Sequence, residues 1–218
     1  LCGFLMLAGS VVLIFTRGFV LNIVDTLNNT GLALSPAVLV ILALAALSAL
    51  NVVSAPTVSL EGKNLWIAKS LPARPIDILM AKVRMHMLVC GIPAILAGMI
   101  CAVTLHVNAI DFFLILAVPL LLTLQSALFG VVINLQFPKF DWINELQPVM
   151  QSLCVQLTMI GAAVLLAALV FLYVFVLSDV VPAEMYITVC AALSAALSGA
   201  LYGYLKTGGS RRFEALTN

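Results

Sequence analysis

Charged side chains are scarce. Asp, Glu, Lys and Arg together make up 9% of the 218 residues, against 64% hydrophobic. Soluble domains carry roughly 25% charged residues. This chain has too little polar surface to cover a water-facing globule, so it must face lipid; its mean hydropathy is +1.22. The net charge of +1 gives no electrostatic grip on a phosphate backbone, and no nucleic-acid partner is expected.

Other absences narrow the chemistry. No Asp, Glu or Lys lies deep within an apolar run, and Arg17 and His86 sit near run boundaries. Intramembrane ionisable residues mark proton relays and ion pathways, so their lack argues against a proton-coupled transporter. There is no HExxH, no GxSxG and no GxxxxGK[ST] phosphate loop. No catalytic, cofactor or metal site is expected in the chain. Of the five cysteines, Cys2, Cys90, Cys101, Cys154 and Cys190, none forms a CxxC pair and all fall in apolar runs. They read as small buried hydrophobes rather than ligands. The first residue is Leu1 rather than Met, so a fragment of a longer protein is expected.

What is present is apolar length. A membrane-crossing helix needs about 20 mostly apolar residues. Six stretches qualify: Leu1 to Val20, Pro36 to Ala55, Met85 to His106, Phe112 to Leu135, Leu153 to Leu177 and Met185 to Leu205. Continuous apolar runs exclude a β-barrel, whose strands alternate. The expected fold is all-α, a polytopic membrane helix bundle of about six transmembrane helices. With the N-terminus inside, all of the ten basic residues except Arg17 fall in inside segments: Lys63, Lys69, Arg74, Lys82, Arg84, Lys139, Lys206, Arg211 and Arg212. Both termini are therefore expected in the cytoplasm. Trp66, Trp142, Tyr202 and Tyr204 lie next to inner span ends, where indole and phenol rings favour the headgroup level.

Asn51, Gln125, Asn134, Gln151 and Gln156 are the uncharged polar residues in or near spans; they read as interhelical hydrogen-bond partners before they read as a substrate path. Ala191, Ala195, Gly199 and Gly203, four apart, form a ladder of small residues on one face of the last span. Such a ladder lets two backbones approach closely, either against another span of this chain or against a second half-molecule. Pro93 and Pro119 fall inside spans and can kink them. His86 and His106 stand at opposite ends of one span, about 30 Å apart at 1.5 Å per residue, and cannot share a site.

Charge returns in one stretch, "SLEGKNLWIAKSLPARP", residues 59–75. Ser59 can cap a helix with Glu61 in its first turn. Leu60, Asn64, Ile67 and Leu71 then share a face, with Gly62 and Lys69 opposite. Pro72 ends that helix, and Pro75 suits the first position of the next, which carries Asp77 near its start. A short cytosolic amphipathic helix between spans two and three is expected. It can rest on anionic headgroups or dock a cytosolic protein.

The string from Ser59 to Lys82 resembles a signature loop of bacterial ATP-binding cassette permeases of the type-2 exporter class. Ser59, Glu61, Gly62, Lys63, Trp66, Lys69, Ser70, Leu71, Pro72 and Lys82 match the pattern. A second string, "NLQFPKFDWINELQPVMQS", matches at Asn134, Pro138, Phe140, Asp141, Trp142 and Ser152, and departs at Met150, where the family often has a basic residue. The resemblance implies a transmembrane permease domain over 1–206, a cytosolic coupling loop at about 56–84, a second cytosolic loop at about 136–150, and a cytosolic tail, 207–218. It implies a bacterial plasma-membrane location and a separate ATPase that holds the ATP and Mg. The implied contacts with that ATPase are Glu61, Lys63, Trp66, Lys69, Arg74, Lys139, Asp141 and Trp142. A second six-span half, in the same chain or another, is implied as a partner. The alternatives are a membrane scaffold with no transport role and, more weakly, a lipid-acting membrane enzyme, which would need acids or histidines clustered at one depth.

Overall fold

Helices that are apolar all round belong in lipid or a protein core, and that is how this chain is built. The computed structural model describes residues 2–29, 35–70, 72–140, 142, 144, 149, 152–178 and 180–216, without the side chains of Cys2 and Lys63. The described residues form helices and turns and no strand. In order they are α1 (Cys2–Asn29), α2 (Pro36–Ala49), a tight 3₁₀ turn (Ser59–Asn64), α3 (Leu65–Ser70), α4 (Pro75–His86), α5 (Ile92–Leu105), α6 (Ala109–Gln136), α7 (Leu153–Leu172), α8 (Ala183–Tyr204) and α9 (Ser210–Ala215). Wider π turns, Met87–Gly91, Tyr173–Leu177 and Leu205–Gly209, join α4 to α5, extend α7, and join α8 to α9.

Among the described residues, five helical stretches are long and apolar enough to cross a bilayer: Gly3–Asn29, Pro75–Leu105, Ala109–Gln136, Leu153–Leu177 and Ala183–Ala215. The chain is a membrane protein. The second expected span, Pro36 to Ala55, is helical only over α2, whose 14 residues reach about 21 Å, short of the ~30 Å hydrocarbon core. Ser35 caps its start by accepting from the Val38 N–H at 3.3 Å, with Pro36 at the favoured first position. Its end is set by Asn51, Ser54 and Pro56, which break the helix and send the chain into a run of turns. The first span is longer than expected. It continues to Asn29 through a bend at Thr16, whose φ of −107° leaves the helical region.

The residue before a proline avoids the helical region, and proline suits the first helical position. Both rules hold at α4: Arg74 is extended, Pro75 opens the helix and Asp77 sits in its first turn. Pro93 follows directly on the π turn Met87–Gly91, which absorbs the mismatch of its missing N–H. Pro119 is carried within a continuous α6, where Thr123 Oγ1 donates to the Pro119 carbonyl at 2.7 Å.

Helix α6 is the axis of the bundle, packing on α2, α4, α5, α7 and α8, while α1 lies on α5 and α2. At one end of α6 a core gathers Met6, Ile41, Ala97, Ile115, Tyr173 and Ile187. At the other, Val58, Leu65, Leu79, Val131, Leu205 and Phe213 pack together; this is the basic end, near Lys69, Lys82 and Arg212. Residues 207–215 of the expected tail continue the last span as helix and pack into this core, with Phe213 fully buried.

Candidate functional site

The basic end is built around a segment that re-enters the bundle. Between α2 and α3 the backbone of residues 50–64 turns repeatedly, yet Asn51, Ser54, Ala55, Val58 and Ser59 are buried. Non-helical backbone at membrane depth is tolerated only where protein covers it and satisfies its polar groups. Ser54 is tied twice: its N–H donates to His86 Nδ1 at 3.1 Å and its Oγ donates to the Ala127 carbonyl at 2.9 Å. Because Nδ1 accepts, the ring proton sits on Nε2. Thr57 Oγ1 donates to the Ser54 carbonyl at 2.7 Å, closing the turn.

The next residues are tied to the far end of α6. Ser59 Oγ donates to Asn134 Oδ1 at 2.6 Å and accepts from the Lys139 N–H at 3.0 Å. Trp142 Nε1 donates to the Ser59 carbonyl at 2.9 Å. Lys82, on α4, donates to the Thr57 carbonyl at 3.1 Å and forms an ion pair with Glu61. The two side chains are 12% and 23% exposed, so the pair is partly desolvated and stronger than a surface pair.

Two glycines make the close approach possible. A Cβ on Gly130 of α6 would stand 2.7 Å from Ser54 Oγ and 3.0 Å from the Ala55 nitrogen. Gly62 has φ +47° and lies under the Trp142 ring, 2.8 Å from where its Cβ would be. That left-handed backbone favours glycine and divides the expected amphipathic helix into the 3₁₀ turn and α3. The buried stripe is accordingly Val58, Gly62 and Leu65, while Asn64 and Ile67 of the expected face are exposed.

The residues singled out in the sequence divide into two groups. Glu61, the Lys139 backbone and Trp142 point into the knot. Trp142 is thus a half-buried wedge beneath Gly62 rather than an interfacial anchor. Trp66 is 64% exposed and Ile67 48% exposed, on the outer face of α3. Arg74 is exposed and pairs with Asp77 at 2.9 Å. Lys69 Nζ donates to the carbonyls of Glu214 and Leu216 at the end of α9, and stands 5.9 Å from the Phe213 ring centroid. Arg212 Nε donates to the Leu135 carbonyl at 3.0 Å, capping α6. Asp141 and the Lys63 side chain lie outside the described residues. The expected small-residue ladder finds no neighbour among the described residues within 4 Å of an added Cβ at Gly199 or Gly203; Ala195 is exposed and Ala191 packs at the edge of the core.

Ser54, Thr57, Lys82, His86 and Gly130 were not among the residues expected to form a site. Lys82 carried a signal, since it belongs to the matched string; Ser54 and Gly130 carried none. Among the described residues, three buried polar atoms of the knot have no partner: Glu61 Oε2, His86 Nε2 and Asn134 Nδ2. Buried polar groups are normally satisfied, so this joint holds spare hydrogen-bonding capacity. Searches against family models, curated proteins and solved structures return no match for this chain.

Proposed function

We propose that this chain is the transmembrane part of an ATP-driven exporter of the type-2 ATP-binding cassette permease kind, with ATP and Mg handled by a separate cytosolic ATPase. The observation that carries the reading is the knot. The re-entrant segment is bonded to α4 through His86 and Lys82 and to α6 through Ala127 and Asn134. Any displacement of α3 is therefore passed to two spanning helices at once. Coupling requires two arrangements of one element with different contacts in each. The three unpartnered polar atoms supply the capacity for a second arrangement.

On this reading the basic end faces the cytoplasm of a bacterial cell, in keeping with the positive-inside rule, and both termini lie there. Trp66 and Ile67 on the outer face of α3, with Arg74 at the start of α4, form the surface on which the ATPase docks. Glu61 and Lys82 hold the lever to the bundle. The open ladder at Ala195, Gly199 and Gly203 is where a second six-span half packs.

The test is co-purification of a cytosolic ATPase from the native membrane, with Trp66→Ala and Ile67→Asp compared with a Glu61→Gln, Lys82→Met pair. The outer-face variants lose the ATPase while the bundle stays folded. The pair keeps the ATPase but lowers transport-coupled ATP hydrolysis. Unchanged association and unchanged hydrolysis in both sets would leave a non-transporting scaffold as the better description.

A further inference from the structure

We propose that the groove between α7 and α8 binds a single-chain amphiphile, with its apolar chain toward the end away from the knot and an uncharged, hydrogen-bond-donating head at Gln125.

Both helices pack on α6 but barely on each other. They are pinned at the end away from the knot. There Tyr186 Oη donates to the Leu169 carbonyl at 2.9 Å, and the Tyr173 and Tyr186 rings stand 5.1 Å apart. Below that pin the groove holds two cavities that adjoin at Leu122. The first, about 110 Å³, is walled by residues such as Ile41, Leu166, Ile187 and Ala191. Of the two tyrosines in its wall, Tyr186 already spends its hydroxyl proton on Leu169. An apolar cavity of this kind stays dry and takes apolar groups, and within hydrocarbon those are acyl chains.

The second cavity, about 150 Å³, lies nearer the knot and includes Gln125, Ser126 and Thr158. Thr158 Oγ1 donates to the Cys154 carbonyl at 2.7 Å, and Ser126 Oγ donates to the Thr123 carbonyl at 3.0 Å and reaches the Ser48 carbonyl at 3.5 Å. Both hydroxyl protons are thus used within the protein. Gln125 Oε1 is buried with no partner among the described residues. This acceptor calls for a ligand that donates, by hydroxyl or amide N–H. No charged side chain lines either cavity among the described residues, and an unpaired charge in such a place is heavily penalised, so the head is uncharged. The binding site stands without the transport reading; only the amphiphile's role as cargo rests on it.

The test uses the full chain alone in lipid nanodiscs, with no ATPase present, so failure of the transport reading leaves it untouched. The probe is N-hexadecanoyl ethanolamine with a diazirine in the outer half of its chain, mapped by mass spectrometry after photolysis. Label concentrates on Leu166, Leu169 and Ile187, and unlabelled N-hexadecanoyl ethanolamine suppresses it at least about fivefold. Gln125→Leu, close in size, lowers labelling about two- to tenfold, the range of one neutral hydrogen bond. A diazirine-bearing hexadecane, which has no head, is unaffected by that change. Label spread evenly over all lipid-facing helices, failed competition in the unaltered chain, or equal loss of both probes in Gln125→Leu would overturn the proposal. Competition alone decides it if the variant does not fold.

Discussion

One substitution, Gly to Ala, made at three positions, tests the knot directly. At Gly130 the added methyl meets Ser54 Oγ at 2.7 Å, the Ala55 nitrogen at 3.0 Å and the Ala55 Cα at 3.2 Å. Two of these atoms are backbone, and Ser54 is held from both sides by His86 and Ala127, so nothing can rotate aside. Overpacking of this kind costs about 1–3 kcal/mol. Displacing Ser54 also weakens two buried hydrogen bonds at about 1 kcal/mol each. The better helix propensity of alanine returns about 1 kcal/mol, leaving a net loss of about 2–4 kcal/mol. At Gly199 and Gly203 a Cβ meets nothing within 4 Å among the described residues, so only the propensity gain of up to about 1 kcal/mol remains. The gap between the two classes is about 2–5 kcal/mol. For a chain of this size it separates their melting points by roughly 4–20 °C. Thermal unfolding of the isolated chain in one detergent, followed by circular dichroism, measures it. A Gly130→Ala protein that melts with Gly199→Ala refutes the close approach of the re-entrant segment to α6.

The remaining predictions use the same assay unless stated. Lys82→Met leaves a partly buried Glu61 without its cation and costs about 1.5–3 kcal/mol. Adding Glu61→Gln recovers part of that loss, and the double-mutant cycle gives a coupling above about 0.5 kcal/mol; zero coupling means the pair is not formed. His86→Leu strands the Ser54 N–H and costs about 1–3 kcal/mol. His86→Asn, with an acceptor near the position of Nδ1, costs less, and equal losses would show that the Ser54 bond is absent. Phe213→Ala empties a fully buried ring site at about 3–5 kcal/mol. It also frees Lys69, so hydrogen exchange rises across both α9 and α3; a rise in α9 alone would separate the two.

The spanning helices were legible because lipid demands long apolar stretches and little else, and the start of α4 was legible because Arg74 and Pro75 obey a local backbone rule. The early end of α2 was not. Hydropathy over 36–55 reads as one unbroken run, and the residues that break it find their partners far along the chain. Ser54 pairs with His86 and Ala127, and Ser59 with Asn134. No local period carries such pairings. The division of the charged stretch at Gly62 depended on Trp142, 80 residues later in sequence, and Trp142 itself read as an interfacial ring because indoles favour that depth. The separation of α7 from α8 was hidden for a different reason. In lipid a helix gains nothing by turning apolar side chains inward, so hydropathy does not distinguish a packed face from a lipid-facing one.

That last point orders the bundle. Half of the apolar window of α6 is buried, against 6% in the stretch beginning with α7, although both are strongly apolar. What sets α6 apart is its polar and small residues: Gln125, Ser126, Gly130 and Asn134 lie in sequence along its C-terminal half. Gly130 and Asn134 meet the re-entrant segment, and Gln125 and Ser126 meet the groove. Five residues separate Gln125 from Gly130, about 7.5 Å along the axis. A helix is stiff over so short a span, so a shift of Ser54 against Gly130 cannot leave Gln125 where it was. The knot and the groove are therefore two ends of one rigid piece. The work done at α3 on the proposed reading would reach the cavity through α6, which carries both Gly130 and Gln125.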